Sequence, residues 1–211
     1  MNKDIAHILK NRLINGKLNF VNVISGLIQR VEKKEVVENN TVSKFFPIST
    51  DISDENGNVL DAFCDEFIYG VFPDSNKKGI IYFEENGGLV PLGPDSRGNE
   101  QFKSSLNVIC WLNREKITGK TYESIQSYCM NEVLKALHLN TKTNENIFSG
   151  FFVALDYVLP TDSSIFAKYS YDEARTQYLM PPFEFFGVRL KISFSLNRKC
   201  VNSITLNPTE C

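Results

Sequence analysis

Histidine is nearly missing from this chain: His7 and His138 are the only two in 211 residues, and tryptophan occurs once. Metal sites built on imidazole pairs therefore have little material, and neither histidine carries a local signature of nucleophilic catalysis. The five cysteines (Cys64, Cys110, Cys129, Cys200 and Cys211) show no CxxC pair and no zinc spacing. An odd, scattered set reads as free buried thiols of a protein made in the cytosol. No stretch approaches the ~18 apolar residues of a membrane helix. Charges interrupt Met1–Lys17 every few residues, so no leader peptide is expected there. An excess of one charge is also lacking. With 23 basic and 25 acidic residues the net charge is −2, which argues against a dedicated nucleic-acid binder.

Phosphate and cation loops are missing as well. The segment NGGLVPLGPDSRG (86–98) contains neither GxxxxGK[ST] nor GxGxxG before a helix, and Pro91 and Pro94 remove backbone donors. Setting Gly57 at the turn of a calcium loop places Ile52 and Phe63 at the first and last ligand positions. The acidic cluster Asp61, Asp65, Glu66 is compatible with metal or acid–base chemistry, and a charged entry to a strand explains it as well. No catalytic residue, metal ligand or cofactor is expected, and the chain reads as a non-enzyme.

What is present favours a sheet. Hydrophobic residues make up 42%, with 16 Phe and 8 Tyr, enough for one core and too aromatic for a helical bundle. Ile5, Ile8, Leu9 and Leu13 form one helical stripe, with Asn2 as its cap and Asn15-Gly16 as its stop. Leu18–Val37 is dense in β-branched residues and reads as extended, with a bulge or bend at Gly26. Asn39-Asn40 reverses it into a strand over Thr41–Ser49, giving a hairpin over about 20–49 with a charged far end. Strands are expected at Glu66–Phe72, Gly79–Glu85, Ser104–Asn113 and Gly150–Val158, the third of them central. A second helix runs from a Thr121 cap to about His138, with Tyr122, Ile125, Cys129, Val133 and Leu137 as its stripe. Asn86–Asn99 and Asn140–Asn146 read as loops, and Tyr171–Gln177 as a short helical turn. Phe186–Leu196 alternates without a break: Phe186, Val188, Leu190, Ile192, Phe194 and Leu196 against Gly187, Arg189, Lys191, Ser193 and Ser195. The expected fold is α+β: a mostly antiparallel sheet, two main helices packed on one face, a long projecting β-hairpin and an extended C-terminal tail. One domain is expected over 1–198, with 199–211 as the tail.

Two passages carry a resemblance. VISGLIQRVEKKEVVENNTVSKFFPISTDI (23–52) and SSLNVICWLNREKITGKTYESIQSYCMNEVLKAL (104–137), followed by the alternating last strand, resemble ring-forming head–tail joining proteins of tailed bacteriophages. The likeness is to the collar, neck or tail-terminator-like rings of podoviruses infecting Bacteroidetes, including the crAss-like phages. It implies a structural virion protein, made in the host cytoplasm, that docks with copies of itself in a ring. Adjacent portal, ring or tail proteins are its implied partners. DNA at most passes through the lumen without sequence-specific contact, and no membrane is involved. The long acidic loops and the Lys199–Cys211 tail exceed what a minimal terminator domain needs.

On this reading the hairpin shaft reaches a neighbour through Arg30, Lys33, Lys34 and Glu35. Arg189 and Lys191 offer a wet inter-subunit face, and Val201, Ile204 and Leu206 carry the tail onto another subunit. Other assembly or adaptor roles, in a virion or a secretion machine, are compatible with the same pattern. So is an enzyme whose site is assembled only in three dimensions.

Overall fold

The unbroken alternation of the last strand produces the longest ladder of the molecule. β10 (Phe183–Leu196) pairs antiparallel with β7 (Glu100–Asn113) from Phe183 opposite Asn113 to Ser195 opposite Gln101. The computed structural model describes residues 1–37, 40–49, 51–54, 56–57, 71–120, 123–145, 147–160, 162–170 and 177–196. Around these two strands lie β1 (Val23–Leu27), β4 (Ile52–Asp54), β5 (Gly79–Glu85), β8 (Lys142–Glu145) and β9 (Phe148–Val158). Their order is β4–β1–β5–β7–β10–β9–β8, and β6 (Val90–Pro94) completes an eight-stranded sheet by pairing with β7. Every pairing is antiparallel except β1 with β5. A separate two-stranded ribbon, β2 (Gln29–Val37) with β3 (Asn40–Ile48), stands off this sheet. The fold is α+β.

The two longer helices cover one face. α1 (Asn2–Asn15) buries Ile5, Leu9 and Leu13, and α3 (Gln126–Ala136) buries Cys129 and Val133. They share one apolar cluster with Val108, Cys110, Val188, Leu190 and Phe194, the inward-facing residues of β7 and β10. The helices meet closely, since a Cβ on Gly16 would lie 2.6 Å from the Cβ of Ala136. Two cations on α1 are drawn inside with partners. Lys10, 2% exposed, pairs with Asp51, while Arg12 binds Glu145 at 2.7 Å and the Leu137 carbonyl at 3.0 Å. Burial pushes the Asp51 carboxyl up, but hydrogen bonds from Lys10 and His7 outweigh it and leave it below its usual value.

Several expected elements are moved by tertiary partners. The extended run expected from Leu18 to Val37 starts only at Val23, after a turn at Asn19-Phe20, and breaks at Ile28, where the chain leaves the main sheet and the ribbon begins. The bend expected at Gly26 coincides with a register shift between Ile24 and Leu27, and a Cβ there would strike Asp51 at 2.6 Å. Val37 pairs with Asn40, so Asn40 already belongs to the returning strand. The loop assigned to Asn86–Asn99 contains β6, and that assigned to Asn140–Asn146 contains β8. Both are short edge strands, a position where Pro91 and polar residues are tolerated. α1 begins one residue earlier than expected: Met1 is its cap, and Asn2, inside it, binds Glu85 and Ser104.

An unforeseen short helix, α2 (Arg114–Thr118), follows β7 directly, with the Asn113 side chain accepting from the Lys116 N–H. The second main helix starts only at Gln126, because the Glu184 carboxylate of β10 accepts from the Ile125 N–H at 3.1 Å. Thr121, residues 66–70 of the strand assigned to Glu66–Phe72, most of the turn at Tyr171–Gln177 and the tail at 199–211 lie outside the described residues. Val71 and Phe72, which are described, form no strand.

Candidate interaction surfaces

The face of the sheet opposite the helices changes character along its length. At one end Val23, Ile80, Tyr82, Ile109, Trp111 and Phe185 form a second apolar cluster. A 3₁₀ turn at Ser163–Phe166, together with Val71 and Tyr169, closes over it. Trp111 stacks on Phe183 with ring centres 5.2 Å apart and donates its indole N–H to the Tyr178 carbonyl at 2.7 Å. The next row across the strands is polar: Glu84, Asn107, Arg189 and Tyr157 stand side by side. Glu84 is only 3% exposed, pairs with Lys168 and accepts from the Tyr169 hydroxyl at 2.6 Å. Arg189 donates to Asn107 at 3.2 Å and lies over the Tyr157 ring at 4.4 Å. Beyond this row the face opens at Lys191, while Ser195 near the strand end is buried again. Lys191 pairs with Asp156 at 2.6 Å, Asp156 being the extra residue where the β9–β10 register shifts. Ser193 is flanked by Lys103 on one side and Phe152 on the other.

The ribbon is the second surface. Its root is tied down: Phe45 exchanges hydrogen bonds with Ser170, Pro47 accepts from the Val71 N–H at 2.9 Å, and Phe46 meets Phe72 edge-on. The Arg30 guanidinium lies 3.7 Å over the Phe45 ring, a stacked cation–π contact. Further out the side chains are mostly exposed. Glu35 bridges Lys44 at 2.6 Å and Lys33 at 3.2 Å, and these hydrogen bonds, Lys44 foremost, hold its carboxyl below the usual range. Solvent screens exposed pairs of this kind, so they organise the shaft more than they stabilise it. Lys34 faces away from this bridge and makes no ion pair among the described residues. Val31, Val36 and Val42 stay 38%, 74% and 42% exposed.

The structure thus places the residues singled out in the sequence on two separate surfaces. Arg30, Lys33, Lys34 and Glu35 share the ribbon, and Arg189 with Lys191 lies on the sheet face, each of these two with a partner inside the chain. Val201, Ile204 and Leu206 lie outside the described residues. Sequence reasoning missed Glu84, whose neighbours in the sheet become visible only once the strands are in register. Cys110 and Cys129 are buried, as expected of free thiols. Burial pushes the Cys129 thiol up to about 12 and the Cys110 thiol well above its ordinary value, so neither is a ready nucleophile. Comparison with protein-family models, with curated proteins and with solved structures gives no match for this chain.

Proposed function

We propose that the chain is a structural subunit that assembles with copies of itself, as a ring of the neck or tail of a tailed bacteriophage. In that setting its partners are neighbouring copies and the portal, ring or tail proteins above and below, and its place is the virion. The ribbon carries this reading. A two-stranded hairpin is marginal in water unless a third layer supports it, yet the outer half of β2–β3 carries exposed Val36 on one face and Val42 on the other, with no covering layer among the described residues. A second copy laid on the ribbon supplies that layer. In a ring each subunit offers one patch to one neighbour and a different patch to the other, and a projecting arm sets the angle of closure.

The experiment is a deletion. Removing Lys33–Val42 and changing Ser43-Lys44 to Asn-Gly leaves Glu32 opposite Phe45 across a two-residue turn, with the tethered root intact. The expected product is a folded monomer that forms no rings on sizing or in negative stain, where the parent chain forms them. Rings at unchanged yield from the shortened protein would overturn the role of the ribbon. A parent chain that stays monomeric at every concentration tested would overturn the ring itself.

A further inference from the structure

The open half of the sheet face ends in a groove of about 790 Å³ that none of the preceding roles uses. Its floor is a row set by register across four strands: Lys103 of β7, Ser193 of β10, Phe152 of β9 and Lys142 of β8. Its rim is the turn after β6, which brings in Arg97. Arg97, Lys103 and Lys142 are all exposed, and none makes an ion pair among the described residues. Among the described residues the single carboxylate lining the groove is Asp95. That group is already engaged: Oδ1 accepts from the N–H groups of Arg97 at 2.8 Å and Asn99 at 2.9 Å, and Oδ2 from the Asn99 amide at 3.2 Å. Three exposed positive charges therefore surround one acid committed to its own turn.

We infer that the groove holds a nucleic-acid strand through its phosphates, with Phe152 as a stacking platform between Lys103 and Lys142. Cations along a groove neutralise the backbone, and an aromatic face between them takes a base without regard to sequence. The net charge of −2 does not oppose this, because a bound strand responds to the field of the groove and not to the sum over the chain. An acidic peptide would satisfy the charges but has no use for an aromatic platform. The inference stands whether or not the chain forms rings.

Fluorescence anisotropy with a labelled ~20-nucleotide oligothymidylate, and with a duplex of the same length, tests it on the full chain. With three phosphates neutralised, log K should fall with log[salt] at a slope of about −2 for the single strand. Lys103→Glu/Lys142→Glu should lower affinity at least ~10-fold through loss of two such contacts, while Lys34→Glu on the ribbon leaves it unchanged. Phe152→Ala should weaken the single strand and spare the duplex. All three lysines are exposed, so unchanged melting temperatures verify that the variants fold. Three outcomes would overturn the inference: no salt-dependent binding by the parent, equal binding by the double variant, or displacement by polyglutamate as effective as by unlabelled oligonucleotide. Equal loss of both nucleic acids in Phe152→Ala would overturn the stacking role.

Discussion

Two halves of one sheet face, built on the same strands, meet opposite fates. On β10 the outward residues Phe185 and Gly187 are buried beneath covering segments, whereas Lys191, four residues further along the same strand, is exposed. The backbone ladder is continuous through both halves, so hydrogen bonding does not decide which is covered. Side chains at two-residue spacing decide it. Where Ile80, Ile109 and Trp111 line up, a 3₁₀ turn closes over them, and each fully buried large side chain is worth about 1.5–3 kcal/mol. Where Lys103 and Lys142 share a row and Lys191 stands in the next one, a cover would have to desolvate cations, which is costly without new partners. The sheet thus keeps one half for stability and leaves the other available for contact. Glu84 marks the border, a buried carboxylate held by Lys168 and Tyr169.

This contrast can be broken from its covered end first. Trp111→Ala removes a buried ring, its stacking on Phe183 and its hydrogen bond to Tyr178. Urea denaturation should show a loss of about 3–5 kcal/mol; a loss below about 1 kcal/mol would mean that this half is not the stabilising one. At the border, Glu84→Ala removes the acceptor of the Tyr169 hydroxyl and the partner of Lys168. The expected cost is about 1.5–3 kcal/mol, the range for hydrogen bonds to a charged group. Replacement by Gln should recover part of it, and equal losses in the two variants would show that charge, not hydrogen bonding, holds the border. The smallest effect belongs to the open half. Lys191→Ala, which breaks an exposed pair with Asp156, should change stability by less than about 0.5 kcal/mol. A larger loss would place Lys191 in the stabilising half after all.

Much of the scaffold was legible because its elements announce their own burial. The period-two pattern of Phe186–Leu196 and the stripe Ile5, Leu9, Leu13 each describe a face that must be covered, whatever covers it. The central position assigned to Ser104–Asn113 followed in the same way, from apolar residues on both faces, and β7 does pair on both sides. The ribbon was legible for the converse reason, since RVEKKEVVE has too much charge to enter a core. The edge strands β6 and β8 were not. VPLGP and KTNE have little strand character of their own, and they pair because β7 and β9 offer them free ladder edges.

The sequence by itself determined which segments must turn an apolar face inward, because that demand is written in local periodicity and needs no partner to be named. It also determined the exposed, charged shaft of the ribbon. Only the tertiary structure decided where α3 begins, since Glu184, remote in sequence, supplies the acceptor for the Ile125 N–H. It alone gathered Arg97, Lys103 and Lys142 around one groove, although the chain as a whole carries slightly more acid than base. The physical reason is common to both. A charge or a helix end is satisfied by whatever lies a few ångströms away, and strand register, not sequence spacing, sets those distances.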